Sequence, residues 1–285
     1  MKLDDSRRSD DVEDDRGSGI GRGAGIGIGT IVILVIGYFM GVSPSTLLSL
    51  LNGGDPQEVS QPGPADSRTS NDPQVDFVRA VLGETEDVWG AYFSNMGKTY
   101  VRPKLVLFSG QISSACGFAS SASGPFYCPG DQRVYIDLSF FRQLATEFAA
   151  PGDFARAYVI AHEVGHHVQN QLGITDTAAR AEERAGRAGA NRVSVKIELQ
   201  ADCFAGVWAA QADHARKILE PGDLEQGLKA ASSVGDDTLQ KREQGTIVPD
   251  SFTHGTSAQR VGWFRRGFES GKIGNCDTFS AGASL

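Results

Sequence analysis

The apolar positions of this chain fall into two regimes. Between Ala24 and Val42 they run almost unbroken, as Ile, Val, Leu and Gly with one Tyr-Phe pair, and no charged residue occurs from Ala24 to Gly54. A helix over 24–42 covers the roughly 30 Å hydrocarbon core of a bilayer at about 1.5 Å per residue, and Pro44 stops it. The run is too long, and lies too far behind a polar tail, for a cleaved signal peptide, whose apolar region is about 7–15 residues. It predicts a retained transmembrane anchor over 24–42. Residues 1–23 read as a polar tail. Residues 43–73, rich in Pro, Gly, Ser and Asp, read as a disordered linker, because they hold too little apolar surface to offset the entropy of ordering.

From residue 74 the apolar positions become periodic. Val75–Met96 predicts an amphipathic helix with Phe77, Val78, Val81, Leu82, Trp89, Tyr92 and Phe93 as its contacts. Lys104–Phe108 and Val134–Leu138 are short β-branched or aromatic runs bounded by turn residues, the signature of strands. Helices follow. Asp153 is a candidate N-cap for a helix over Phe154–Leu172, closed by Gly173, with Phe154, Ala157, Ala161, Val164, Val168 and Leu172 as a buried stripe. A second long helix spans Val193–Ile218, and Thr256-x-x-Gln259 is a capping box for a last helix ending near Gly271. Strands first and helices after predict an α+β fold for the domain over 74–285. The Ala/Arg/Glu-rich stretch 177–192 reads either as a lid or as a plain surface helix.

Charge adds an orientation. The whole chain carries 27 Lys+Arg against 35 Asp+Glu, a formal −8 that disfavours broad nucleic-acid binding. Lys2, Arg7, Arg8, Arg16 and Arg22 precede the apolar run, and nothing basic follows it until Arg68. By the positive-inside rule the amino terminus stays cytoplasmic, and the domain lies outside the cell membrane on a single-pass anchor. Cys116, Cys128, Cys203 and Cys276 form an even set without a CxxC pair, as expected of two disulfides in an oxidising compartment. Cys116 and Cys128 flank a Gly/Ser-rich loop and are expected to close it, which leaves Cys203 to pair with Cys276.

The chemistry sits in His162-Glu163-Val164-Gly165-His166. On a helix, residues four apart lie about 40° apart around the axis, so both imidazoles project from one face and can share a Zn²⁺ ion. Glu163 is about 100° round from His162, near the ion but off the ligand direction, as suits a base acting on water. Downstream, Glu198 and Asp202 are again four apart on a predicted helix crowded by apolar residues. Glu198 is the candidate third ligand, and Asp202 the acceptor for the free nitrogen of a ligand histidine, with His162 the expected donor. Rival ligands fare worse. Gln169 and Leu172 stand where the pattern HExxHxxGxxH needs Gly and His, His167 points about 100° away from His166, and His214 lies four turns beyond Glu198. His254, in a polar loop before the capped helix, is a candidate second donor to an oxyanion, with Tyr127 behind it. The region before Pro129 is a candidate edge for an extended substrate.

HEVGHHVQNQLG, ELQADCFAGVWA, GPFYCPGD with VYIDLSFF, and DSFTHGTSAQRVGWFRRGF occur in that order over roughly 74–280, and together they resemble the bacterial putative neutral zinc metallopeptidase family. The resemblance implies a zincin-like fold with two histidines and a glutamate on zinc, as in the gluzincins, and a peptide or protein as substrate. It gives the HGTSAQR segment no task. Two function classes remain: a membrane-anchored zinc endopeptidase acting outside the cytoplasm, and a catalytically silent zinc-binding envelope scaffold or peptide-binding protein. Glu163 argues for the first, since a purely structural site has no need of that acid. Oligomeric state is not legible in the sequence.

Overall fold

The computed structural model describes residues 1–17, 65–66 and 71–280. The predicted anchor over 24–42 and nearly all of the predicted linker lie outside the described residues. Among the described residues no helix is long and apolar enough to cross a membrane.

The chain runs β1 (Val12–Asp14), β2 (Ala65–Asp66), α1 (Pro73–Asn95), β3 (Lys104–Phe108), β4 (Gln111–Ser114), β5 (Gly117–Ser120), β6 (Phe126–Cys128), β7 (Arg133–Asp137), α2 (Ser139–Thr146), α3 (Asp153–Gln171), α4 (Ile174–Arg184), α5 (Arg187–Arg216), α6 (Asp223–Ser233), α7 (Asp236–Gln244) and α8 (Ser257–Ser270). Five strands form one sheet in the order β2-β1-β3-β7-β6, and β4 pairs with β5 as a separate hairpin. The β1–β3 and β3–β7 pairs are parallel, while β6 runs antiparallel to β7 at the edge. The α+β expectation holds.

Residues 1–17 do not stand apart as a polar tail, which corrects the sequence reading. They lie along α1 and the sheet, with Val12 only 3% exposed in the main core. Their presence explains why α1 is buried almost all round from Val78 to Trp89, including Glu84 and Glu86, where its sequence predicted one apolar face. Helix α1 itself starts where its local chemistry directs. Asp72 accepts from the Gln74 amide at 2.8 Å, and Pro73 occupies the first turn, where its missing N–H costs nothing.

Helix α3 is the centre of the molecule, packed against α1, α5 and α6. Its predicted stripe is buried apart from the half-buried Leu172, which caps the helix, but so is most of its circumference, so one-sided periodicity understated its environment. Gly152, not Asp153, is the N-cap, and Gly173 turns the chain at φ 74° into α4. The 177–192 stretch divides between α4 and the start of α5, which begins six residues earlier than the predicted Val193. Helices α5 and α8 cross at backbone distance. A Cβ on Gly206 would lie 2.1 Å from the Phe264 carbonyl oxygen, and one on Gly267 would lie 2.0 Å from that of Cys203. The predicted capping box of α8 is present on both sides, from Thr256 and Gln259. Both expected disulfides form, Cys116–Cys128 closing the loop before β6 and Cys203–Cys276 fastening the last turn to α5.

Candidate metal centre

Two helices build the site. Helix α3 presents His162 and His166 one turn apart, and α5 presents Glu198 and Asp202 at the same spacing. They meet at Gly165, where a Cβ would lie 3.1 Å from the Ala201 carbonyl oxygen, so glycine there lets the ligand-bearing turns come together. The two imidazole Nε2 atoms are 3.2 Å apart. Glu198 sets Oε2 at 3.2 Å from the Nε2 of His162 and Oε1 at 3.4 Å from that of His166. Each imidazole nitrogen thus faces a different Glu198 oxygen, and one ligand atom from each of the three residues lies within 4.8 Å of the other two, close enough to share an ion bound at about 2.0–2.2 Å. Among the described residues, His162, His166 and Glu198 are the one group of three or more such side chains whose ligand atoms converge. The donor set and its spacing fit a zinc ion.

Each histidine is fixed by its other nitrogen. His162 Nδ1 donates to Asp202 Oδ1 at 2.9 Å, and His166 Nδ1 donates to Gln169 Oε1 at 2.9 Å. A proton on Nδ1 leaves the Nε2 lone pair facing the site. Asp202 is fully buried and saturated. Its Oδ1 also accepts from the Tyr158 hydroxyl at 2.5 Å and from Arg260 Nη2 at 3.0 Å, while Oδ2 accepts from Arg260 Nε at 2.8 Å. Burial pushes the Asp202 carboxyl up, but Arg260 and His162 outweigh it and hold the group below the ordinary carboxylate range. Burial likewise opposes charge on His162, yet Asp202 and Glu198 raise it to about 10. Glu198 follows the same logic in reverse: burial raises it, and the two histidines bring it well below its ordinary value.

Gln169 is anchored without charge. Its amide nitrogen donates to the Ile197 carbonyl at 2.8 Å and to Gln200 Oε1 at 3.1 Å, and Gln200 donates to the Cys276 carbonyl at 2.9 Å. A relay of amides thus runs from His166 to the Cys203–Cys276 disulfide.

The ligands open on a cleft of about 610 Å³ whose walls include Glu163, Phe126, Tyr127, Phe140, Phe148, Val159, Leu239, His254 and Arg260. Edge strand β6 forms one side, as the sequence reading of the region before Pro129 expected. Glu163 is only 7% exposed and lines the same cleft as the ligands. His254 Nδ1 lies 3.1 Å from Asp236 Oδ1, and Asp236 Oδ2 accepts the backbone N–H groups of Thr253, His254 and Gly255. That bond to Asp236 raises the His254 pKa, against the effect of burial. Tyr127 is engaged elsewhere. Its hydroxyl lies 3.1 Å from His167 Nδ1 and accepts from Asn170 at 3.0 Å. Burial brings His167 down to about 4, so it is neutral, with Nε2–H donating to the Val101 carbonyl at 2.7 Å and Nδ1 accepting the Tyr127 proton. His167 is therefore a packing residue, as expected, and Tyr127 has no proton left for an oxyanion. His214 is exposed near the end of α5.

Three participants were missed in the sequence. Tyr158 precedes His162 by one turn on the same face and reads as one more core aromatic. Gln169 drew notice only as a mismatch to a longer histidine pattern. Arg260 lay inside HGTSAQR, the segment without a task, and its signal was an arginine on the face shared with Trp263, Phe264 and Gly267, all four buried.

The family model described as "Putative neutral zinc metallopeptidase" matches residues 1–279. The chain is 47% identical over 287 residues to the uncharacterized protein YpfJ of Escherichia coli strain K12, covering 98% of this chain and 99% of that protein. It is 41% identical over 255 residues to the uncharacterized protein Rv2575 of Mycobacterium tuberculosis H37Rv, covering 82% and 85%. No solved structure matches it.

Proposed function

Since the chain belongs to the putative neutral zinc metallopeptidase family, we propose that it is a zinc-dependent endopeptidase, with a gluzincin-like site on a zincin-like fold. One observation carries the reading: ligand atoms of three side chains converge within 4.8 Å beside a buried acid in an open cleft. His162, His166 and Glu198 would hold the zinc. When bound, zinc lowers the pKa of water toward neutrality and polarises a peptide carbonyl. The protein does the rest. Asp202 and Gln169 fix the two imidazoles, and Arg260 with Tyr158 fixes Asp202. Strand β6 offers its free edge to an extended peptide. Glu163 takes a proton from the attacking water on a carboxylate oxygen and delivers it to the leaving amine nitrogen. His254, held through Nδ1 by Asp236, presents Nε2–H to the developing oxyanion.

Two disulfides and the apolar run 24–42 support action outside the cytoplasm, with that run as the membrane contact. The second reading, a silent zinc-binding scaffold, keeps the ligands and gives Glu163 no role. Hydrolysis of a mixed peptide library by wild type and Glu163→Gln, with zinc content measured in both, separates the two. The expected outcome is full zinc in both proteins and cleavage by wild type alone. Equal residual cleavage would remove the enzyme reading.

A further inference from the structure

The amino-terminal segment is built into the domain along its length. Strand β1 lies inside the sheet, between β2 and β3, with the Leu105 amide donating to the Asp11 carbonyl and the Asp15 amide to the Leu107 carbonyl, both at 2.8 Å. Arg7 reaches Glu86 at 2.5 Å and Asp87 at 3.0 Å, and Ser9 donates to the other Glu86 oxygen at 2.5 Å. The Glu86 side chain is wholly sealed by these contacts, with Arg102 at 3.8 Å as its further ion-pair partner. Arg8 grips Asp76 through two nitrogens, at 3.0 and 2.8 Å. Farther along, Lys104 meets Asp11 at 2.8 Å and Arg133 meets Glu13 at 2.6 Å.

Helix α1 is shaped for this passage. Gly83 stands in its interior, where glycine costs about 1 kcal/mol relative to alanine. A Cβ there would lie 2.3 Å from the Arg7 carbonyl oxygen. Glycine at this position lets the segment cross the helix in direct backbone contact.

We propose that residues 1–17 stay docked in the working protein and therefore share one side of the membrane with residues 71–280. A single crossing over 24–42 would pull β1 from the sheet, expose the edge of β3 and strip Glu86 of Arg7 and Ser9. The orientation signal in the sequence also changes meaning. Arg7, Arg8 and Arg16 are three of the five basic residues that indicated a cytoplasmic tail, and here they face Glu86, Asp87, Asp76, Asp14 and Asp72. Their charges are engaged by the fold. The inference stands apart from whether the site hydrolyses peptides.

The test uses the full chain in the membranes of cells that express it. Asp10→Cys and Lys98→Cys each place one thiol at an exposed position, all four native cysteines being in disulfides. A membrane-impermeant maleimide is applied before and after permeabilisation. In the same membranes, carbodiimide couples carboxylates to amines without a spacer, and the Asp11–Lys104 peptide is sought by mass spectrometry. The two cysteines should be labelled together or protected together, and the Asp11–Lys104 peptide should form in wild type. Its yield should fall several-fold in Gly83→Ala, without loss of bound zinc. Labelling from opposite sides overturns the proposal, and so does absence of the Asp11–Lys104 peptide where other couplings within the chain occur.

Discussion

His162 and His166 occupy adjacent turns of one helix and offer the same atom to the same point, yet they are held in opposite ways. Behind His162 lies a sealed charged cluster of Asp202, Arg260 and Tyr158. Behind His166 lies a neutral line of side-chain amides ending at a backbone carbonyl next to a disulfide. The charged arrangement makes its imidazole more basic and binds α3, α5 and α8 into one unit. The neutral arrangement sets direction and takes its rigidity from covalent chain. A site can thus be made stiff by electrostatics on one side and by cross-linking on the other, and the two sides should fail differently.

The largest effect should come from the charged side. Asp202→Ala leaves Arg260 buried without its partner, a loss of about 3–5 kcal/mol in stability, together with about 10–100-fold in zinc affinity. Asp202→Asn keeps the shape and should lower zinc affinity while losing less stability. Thermal unfolding and competition with a chelating dye check both, and a Gln169 variant that destabilised more than Asp202→Ala would break the comparison. Next is the covalent side. Removing the Cys203–Cys276 bond by paired serine substitution should cost about 2–4 kcal/mol and lower zinc affinity through His166, an effect that Gln169→Leu should abolish in combination. Gln169→Leu alone should cost about 1–3 kcal/mol, the value of leaving His166 Nδ1–H and the Gln200 carbonyl oxygen without a partner.

The smallest effect, and the sharpest discriminator, is in pH. The folded pKa of His162 is raised from 6.5 to about 10, so its pairing with Asp202 stabilises the chelator-treated protein fully below pH 6.5 and loses that contribution as pH rises through about 10. The stability gap between wild type and Asp202→Asn should therefore narrow across that window. For activity, His254 is raised above its ordinary 6.5, and a donor role predicts that kcat/KM falls as it deprotonates. Asp236→Asn should move that limb to lower pH.

The parts legible in the sequence were those set by short-range spacing. The HExxH helix, the Glu198/Asp202 turn and the capping box of α8 each depend on residues within four positions of one another, the Cys116–Cys128 closure spans 12, and the long Cys203–Cys276 pairing followed only by elimination. What escaped depends on partners far apart in the chain. Arg260 lies 58 residues from Asp202, and its purpose appears only when Gly206 and Gly267 let their helices touch. Residues 1–17 were read by composition as tail, because an alternation of charges looks solvated until its complementary carboxylates on α1 are in view. Strands β4, β5 and β6 are too short for periodicity to mark, and β7 was displaced by one residue for the same reason.

Strand β6 offers only three residues at its open edge, ending at a cysteine tied back to the preceding hairpin. So brief an edge cannot zip two copies of the protein together, which guards a sheet that must remain accessible. It also gives any bound peptide few backbone bonds, so how long a peptide stays would be decided by how well its side chains fill the aromatic walls of the cleft.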